Sequence, residues 1–300
     1  MIRRAFLAGV VAGALALAAG GVADGRRGVA VHNGPIAFSS DRDGDNEIFS
    51  MRPDGTHQAQ LTHNTANDYA PAYSPDGGTI AFVSNRGGDY DIYAMRADGA
   101  SPTDLTNNPA YDDDPSYSPD GMRIAFERGD EPHRDLYTMS FTGGGEAQLS
   151  GGPPDAPDDS APAYAPDGRH IAFLTNRHQG NPDIFETNSD GYGRVNLTLD
   201  RLREYAPAYS PDGRWIAFAR ASGGNTDIFR MRLFNRTVHR LTHDNVGDFG
   251  PVYSPDGRFI AFEASHRGGL DIYTMRANGT HVVRLTNARG DDAYPTWAPQ

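Results

Sequence analysis

From residue 33 onward the chain repeats itself about every 45 residues, and this recurrence limits its possible folds more than any other feature. The segment Ala70-Pro71-Ala72-Tyr73-Ser74-Pro75-Asp76-Gly77 returns around Pro115, Pro162, Pro207, Pro251 and Pro295, at spacings of 44, 47, 45, 44 and 44 residues. Ile-Ala-Phe begins in step at Ile36, Ile80, Ile124, Ile171, Ile216 and Ile260, and an acidic-aliphatic-aromatic triplet at Glu47, Asp91, Asp135, Asp183, Asp227 and Asp271. Six units fill residues 33–300, each the length of a four-stranded propeller blade.

The second unit shows why four strands are expected. Tyr69–Ser74 is kept out of helix by Pro71, and Pro75-Asp76-Gly77 makes a turn in which proline fixes φ and glycine accepts a positive one. Thr79–Ser84 is apolar on both faces, as suits a strand packed between neighbouring sheets. Arg86-Gly87-Gly88 turns into Asp91–Met95, and Ala97-Asp98-Gly99 into a polar outer strand around Thr103–Thr106, where Pro102 and Asp104 discourage edge pairing. The 35 glycines, 21 prolines, 14 tyrosines and 14 phenylalanines fit many short strands and tight turns and exclude a helical bundle. The first unit lacks an innermost strand, and Tyr294–Pro299 supplies the missing register. The expectation is therefore an all-β, six-bladed propeller with four-stranded blades, its ring closed by the C-terminal strand.

The succession Ser-Pro-Asp-Gly, Ile-Ala-Phe, Ser-x-Arg-x-Gly, Asp-Ile-Tyr, Asp-Gly and Leu-Thr resembles the TolB-type propeller repeat, over essentially all of residues 33–300. That family's namesake carries an N-terminal α/β domain, whereas only residues 24–32, a short linker, separate leader and first blade here. The resemblance therefore implies the propeller without the partners engaged through that domain. Propellers of this kind also resemble the lids of prolyl-oligopeptidase-like peptidases, but no Gly-x-Ser-x-Gly elbow occurs and the repeats run to Gln300.

Residues 1–23 read as an export signal: Arg3 and Arg4 precede an apolar run from Ala5 to Ala19, and Gly21-Val22-Ala23 offers a cleavage site before Asp24. Arg3-Arg4-Ala5-Phe6-Leu7 resembles the twin-arginine pattern. These features imply an exported protein of the periplasm, envelope or extracellular space, with no stable membrane insertion after cleavage. A net charge of −12 opposes binding to nucleic acid or anionic lipid. All 27 basic residues are arginine and there is no cysteine, which excludes lysine Schiff-base chemistry, disulfides and thiolate nucleophiles or ligands.

Acidic residues form the most informative constellation. A carboxylate stands three residues before each anchoring proline: Asp68, Asp112, Asp159, Glu204, Asp248 and Asp292. Six of them at the start of the innermost strands are expected to surround one channel mouth and attract a cation or basic ligand. The competing reading is that each binds local amides or a neighbouring arginine. In the series opening strand three, Glu47 to Asp271, arginines Arg42, Arg86, Arg177 and Arg267 recur a few residues upstream, so an Asp–Arg pair within the blade is expected there; blades three and five depart from that pattern. Asp41, Asp43, Asp45 and Glu47 are weak candidates for calcium, since they lack the glycine and glutamate placement of an EF-hand loop. The ten histidines show no paired metal-binding spacing, and His63 and His243 read as turn or edge residues.

The sequence thus leads to an exported, non-catalytic scaffold for a protein or small ligand of basic or cationic character, with no cofactor beyond the calcium candidate. The alternatives are a polysaccharide lyase or hydrolase using channel histidines and a metal, and a purely structural envelope module.

Overall fold

A computed structural model describes residues 33–130, 133–151, 157–177, 181–199, 202–266 and 269–299. They form six four-stranded antiparallel sheets, the blades of a propeller, and in five of them three consecutive hairpins set the strand order. Blade two runs Asp68–Tyr73, Thr79–Ser84, Asp91–Arg96 and Thr103–Asp104 from the inside outward. Blade one is composite. Its innermost strand is Asp292–Pro299, paired with Asn33–Ser40, so the C-terminus closes the ring as expected.

The Ile-Ala-Phe strand is the core of every blade. Phe38, Phe82, Phe126, Phe173, Phe218 and Phe262 are all buried, sealed between adjacent blades. Val83 and Ile92 of blade two, for example, pack with Ile124 and Phe126 of blade three. Burying each such ring contributes roughly 2–3 kcal/mol, which explains why both faces of this strand are apolar. The Leu-Thr motif has a different task. Strand four is shorter than the expected Thr103–Thr106 because Leu105 and Thr106 leave the ladder: Leu105 N–H donates to Ile92 O at 2.9 Å, and the Thr106 hydroxyl accepts from Ile92 N–H at 3.0 Å. Thr62, Thr198, Thr242 and Thr286, and Ser150 in blade three, repeat the second bond.

Blades are also joined through the turn after strand three. A Cβ on Gly279, whose φ is +86°, would stand 2.8 Å from Leu241 O of the preceding blade, so this turn packs where only glycine fits. In blade five Arg236 takes the glycine's place and donates from Nη1 to Leu197 O at 2.9 Å instead.

The innermost strand contains a device that carries no glycine signature. Ala70, Asp114, Ala161, Ala206, Gly250 and Tyr294, each just before the anchoring proline, have φ between +46° and +54°. The pairing register slips at the same place in every blade, so each is a β-bulge. A left-handed non-glycine residue costs about 1 kcal/mol, repaid by turning six residues toward the axis. The proline that follows has no N–H to offer a ladder.

Candidate functional site

The six bulges and their prolines line a central cavity of about 680 Å³. Pro71, Pro115, Pro162, Pro207, Pro251 and Pro295 form its ring, and the carboxylates that reach it are Asp114 and Glu263. Both depart from the repeat. Asp114 occupies a place held by alanine in three blades, and Glu263 follows Ile-Ala-Phe where blades one, two, four and five carry Ser39, Val83, Leu174 and Ala219.

Glu263 and its blade-three counterpart Glu127 share a structural reason. A bulge releases a backbone N–H from the ladder, and that group needs an acceptor. Tyr294 N–H donates to Glu263 Oε1 at 2.7 Å, and Ala161 N–H donates to Glu127 Oε2 at 2.8 Å, in each case from the next blade. Burial pushes Glu263 up to about 7 against the pull of that hydrogen bond. Glu127 also rises to about 7 through burial and the nearby Asp113, although Arg134 Nη1 donates to it at 2.9 Å. The Asp114 carboxylate is held well above the usual range by burial and by Asp113. Beside these acids, the rings of Tyr294, Tyr69, Tyr90 and Tyr111 follow one another with centroids 5.8, 5.8 and 5.0 Å apart. Tyr69 and Tyr111 donate to Asp113 Oδ2 at 2.9 and 3.0 Å. The cavity is therefore apolar along its wall, with a carboxylate and aromatic cluster at the end where the innermost strands begin.

The structure places the six carboxylates of the sequence reading elsewhere. Asp68, Asp112, Asp159, Glu204, Asp248 and Asp292 are at most 1% exposed, and none lines the central cavity. Five are held by arginine: Asp68 by Arg86 at 2.7 Å, Asp112 by Arg128 at 2.6 Å, Asp159 by Arg177 at 2.6 Å, Glu204 by Arg220 at 2.8 Å and Asp292 by Arg42 at 2.8 Å. They begin the innermost strands as expected, but they turn into the blade rather than toward the channel, because a guanidinium waits there on a pair of aromatic rings. Arg86, for instance, lies 5.2 and 5.0 Å from the ring centres of Phe82 and Tyr93.

This arrangement corrects the expected arginine pairing. Arg42, Arg86 and Arg177 bind the strand-one acid, not the strand-three acid, and Arg267 lies outside the described residues. Blades three and five keep the same stack by another route, supplying Arg128 and Arg220 from the end of strand two itself. The strand-three acids have other partners: Asp91 accepts from Thr106 at 3.0 Å, Asp227 from Arg240 at 2.8 Å and Asp271 from Arg284 at 2.7 Å. Asp248 is the exception among the six: among the described residues no arginine pairs with it, and burial pushes it up to about 7 against the pull of the nearby Thr242 hydroxyl.

The calcium candidates do not converge. Asp41 Oδ1 accepts from Asp291 N–H, Asp43 from Gln60 and Glu47 from Asn64, and burial raises Glu47. Among the described residues no three His, Asp or Glu side chains come together as a metal would require. His63 and His243 are exposed in the loops after Leu-Thr. Among the described residues no histidine lines the central cavity. Among the described residues no helix is long and apolar enough to cross a membrane. The leader at residues 1–23 and the linker at 24–32 lie outside the described residues.

Comparison with known proteins agrees with the geometry. The family model described as the TolB β-propeller domain matches residues 32–157 and 194–300. The chain belongs to that family. Among solved structures, TolB from Acinetobacter baumannii superposes with a TM-score of 0.79 at 23% identity, over 89% of this chain and 67% of that one. A putative TolB from Agrobacterium tumefaciens gives 0.70 at 24% identity, over 86% and 90%. An oligogalacturonate lyase from Vibrio parahaemolyticus gives 0.58 at 12% identity, over 84% and 74%. At these identities the likeness concerns the fold. None of the curated proteins compared matches the chain. Within this TolB-type ring, Asp114 and Glu263 belong to none of the recurring motifs, and the signal they leave in the sequence is their break with the repeat.

Proposed function

We propose that this TolB-type propeller is an exported, non-catalytic scaffold that binds a basic protein segment or cationic ligand at the carboxylate-bearing end of its channel. The observation that carries this reading is the central cavity itself: a proline-lined wall in which Asp114 and Glu263, both unrequired by the repeat, are the acidic groups. A preformed apolar cavity with a few converging polar groups is the usual form of a binding site. Tyr294, which lines the cavity, offers its ring to a cation. Neither a histidine nor a metal cluster supports the lyase alternative among the described residues.

The test is a calorimetric titration of the chain with a tetra-arginine peptide at pH 8, above the raised value of Glu263, at low and at physiological salt. Binding that weakens with salt and falls at least tenfold in the Asp114→Asn, Glu263→Gln double variant supports the reading; unchanged affinity defeats it. Export is tested separately, by sequencing the N-terminus of the protein recovered outside the cytoplasm, which should begin near Asp24.

A further inference from the structure

Strand three of blade five carries one residue that its blade does not need. Opposite the alanine of Ile-Ala-Phe the other blades place Ser50, Ala94, Thr138, Glu186 and Thr274, whereas blade five places Arg230 opposite Ala217. In a repeat protein, what the architecture demands recurs, so a large cation at a single blade points to something other than folding.

We propose that the groove between blades five and six at Arg230 binds a small organic anion, a carboxylate or phosphate carried on a flat or apolar body. Arg230 is already fixed in place. Its guanidinium carbon lies 4.2 Å from the ring centre of Trp215, and Nη1 donates to Ala277 O of blade six at 2.7 Å. Among the described residues no carboxylate pairs with it, unlike the arginines of the acid stacks; its neighbour on the blade-six side is the Tyr253 hydroxyl, and Nε is buried without an acceptor at hydrogen-bond distance.

Beside it opens a cavity of about 510 Å³ lined by Arg230, Arg258, Phe259, Arg276, Ala277 and Asn278, with no acidic residue among them. Arg276 is exposed, and among the described residues its side chain has no hydrogen-bond or ion-pair partner. Arg258 is largely exposed and approaches Asp256 only to 4.0 Å. Asp212 and Asp256 line a neighbouring hollow that also reaches Arg230 and Ala277, and Ser210 and Ser254 donate to them at 2.6 and 2.7 Å. Three arginines therefore line one space in a chain whose net charge is −12.

Guanidinium forks match carboxylate and phosphate oxygens, and an arginine held against an indole loses little freedom on binding. Phe259, 37% exposed, supplies a surface for the body of the ligand. This site is independent of the channel reading, and either can fail without the other.

The test uses Trp215 as reporter, since the other tryptophan, Trp297, is buried in blade one. The full chain is titrated with phenyl phosphate and with inorganic phosphate, at ionic strength held constant with chloride. Phenyl phosphate should change Trp215 emission saturably and bind at least tenfold more tightly than inorganic phosphate. Arg230→Gln and Arg276→Gln should each weaken it at least tenfold, while Arg52→Gln, in blade one, should leave it unchanged. Arg276 is exposed and has no polar partner among the described residues, so Arg276→Gln decides the matter even if Arg230→Gln does not fold. Absence of a saturable change, or equal affinity in both variants and the parent, overturns the site. Equal affinity for the two phosphates overturns the role of Phe259.

Discussion

Arg128 grips Asp112 through both Nε and Nη2, at 2.6 and 2.9 Å, from a position where blades one, two and four carry Ser40, Ser84 and Thr175. In those blades the serine or threonine oxygen instead accepts from the Nε of an arginine two residues further on, at 2.7 to 3.0 Å. The same buried acid and arginine stack is thus reached from two sequence positions. It is a requirement of the blade, which a guanidinium meets wherever the hairpin lets it reach.

That equivalence makes blade three convertible. Arg128→Ser should destabilise the protein by about 3 kcal/mol, because it leaves Asp112 buried without its countercharge. Adding Asp130→Arg, which puts the arginine where Arg86 stands in blade two, should restore most of the loss. Urea unfolding of the single and double variants measures both; a double variant no more stable than the single would show that the two positions are not interchangeable.

Asp68 and Asp248 hold the same place in two blades and should respond oppositely to neutralisation. Asp68→Asn breaks the pair with Arg86 and weakens the fold by about 1–3 kcal/mol, whereas Asp248→Asn removes a buried charge that no arginine pairs with among the described residues. At pH 8 the second change should leave the melting temperature unchanged or raise it. Melts of the two variants in parallel check this, and a loss in Asp248→Asn equal to that in Asp68→Asn would mean the sixth acid is held like the rest.

Glu263 should make stability depend on pH. Its folded value of about 7 lies above the ordinary 4.5, so the unfolded chain ionises first. Stability is greatest below about pH 4.5 on this account and falls as pH rises through 7, by about 3 kcal/mol at most. Glu263→Gln should flatten that slope between pH 5 and 8 while keeping an acceptor for Tyr294 N–H. Unfolding curves across that range provide the measurement, and a slope unaltered by the substitution would assign it to other groups.

Gly250 is glycine because of Glu263. Its φ of +52° is shared by alanines in three other blades, so the backbone alone does not demand glycine. A Cβ there, however, would lie 2.7 Å from Glu263 Oε1. Gly250→Ala should cost about 1–3 kcal/mol in the parent and clearly less in a Glu263→Ala background. A double-mutant cycle with no coupling would place the clash elsewhere.

The closing strand should matter more than its length suggests. Removing residues 292–300 exposes Asn33–Ser40 as an edge and discards buried Trp297 and the Asp292 partner of Arg42. A loss of several kcal/mol is expected from the ladder and the burial together. A truncated chain that melts with the parent would remove the latch.

The sequence by itself determined the architecture, because its period, its proline and glycine turns and its doubly apolar Ile-Ala-Phe strands act locally and recur six times, leaving one arrangement in which every unit buries both faces. It also determined ring closure, since a missing strand at one end and a spare one at the other can satisfy their ladders only together. The direction in which each acid points was decided by tertiary structure. Asp68 and its counterparts look alike whether they face a channel or a blade, and the outcome rests on an arginine stacked over aromatic rings from other strands. The bulge before each proline was likewise invisible, because its residues are mostly alanine, aspartate and tyrosine and only the curvature of the innermost strand forces them left-handed. Asp114 reaches the cavity from such a bulge and Glu263 from the second strand beside the bulge of the next blade, so their place became defined only when the ring closed around it.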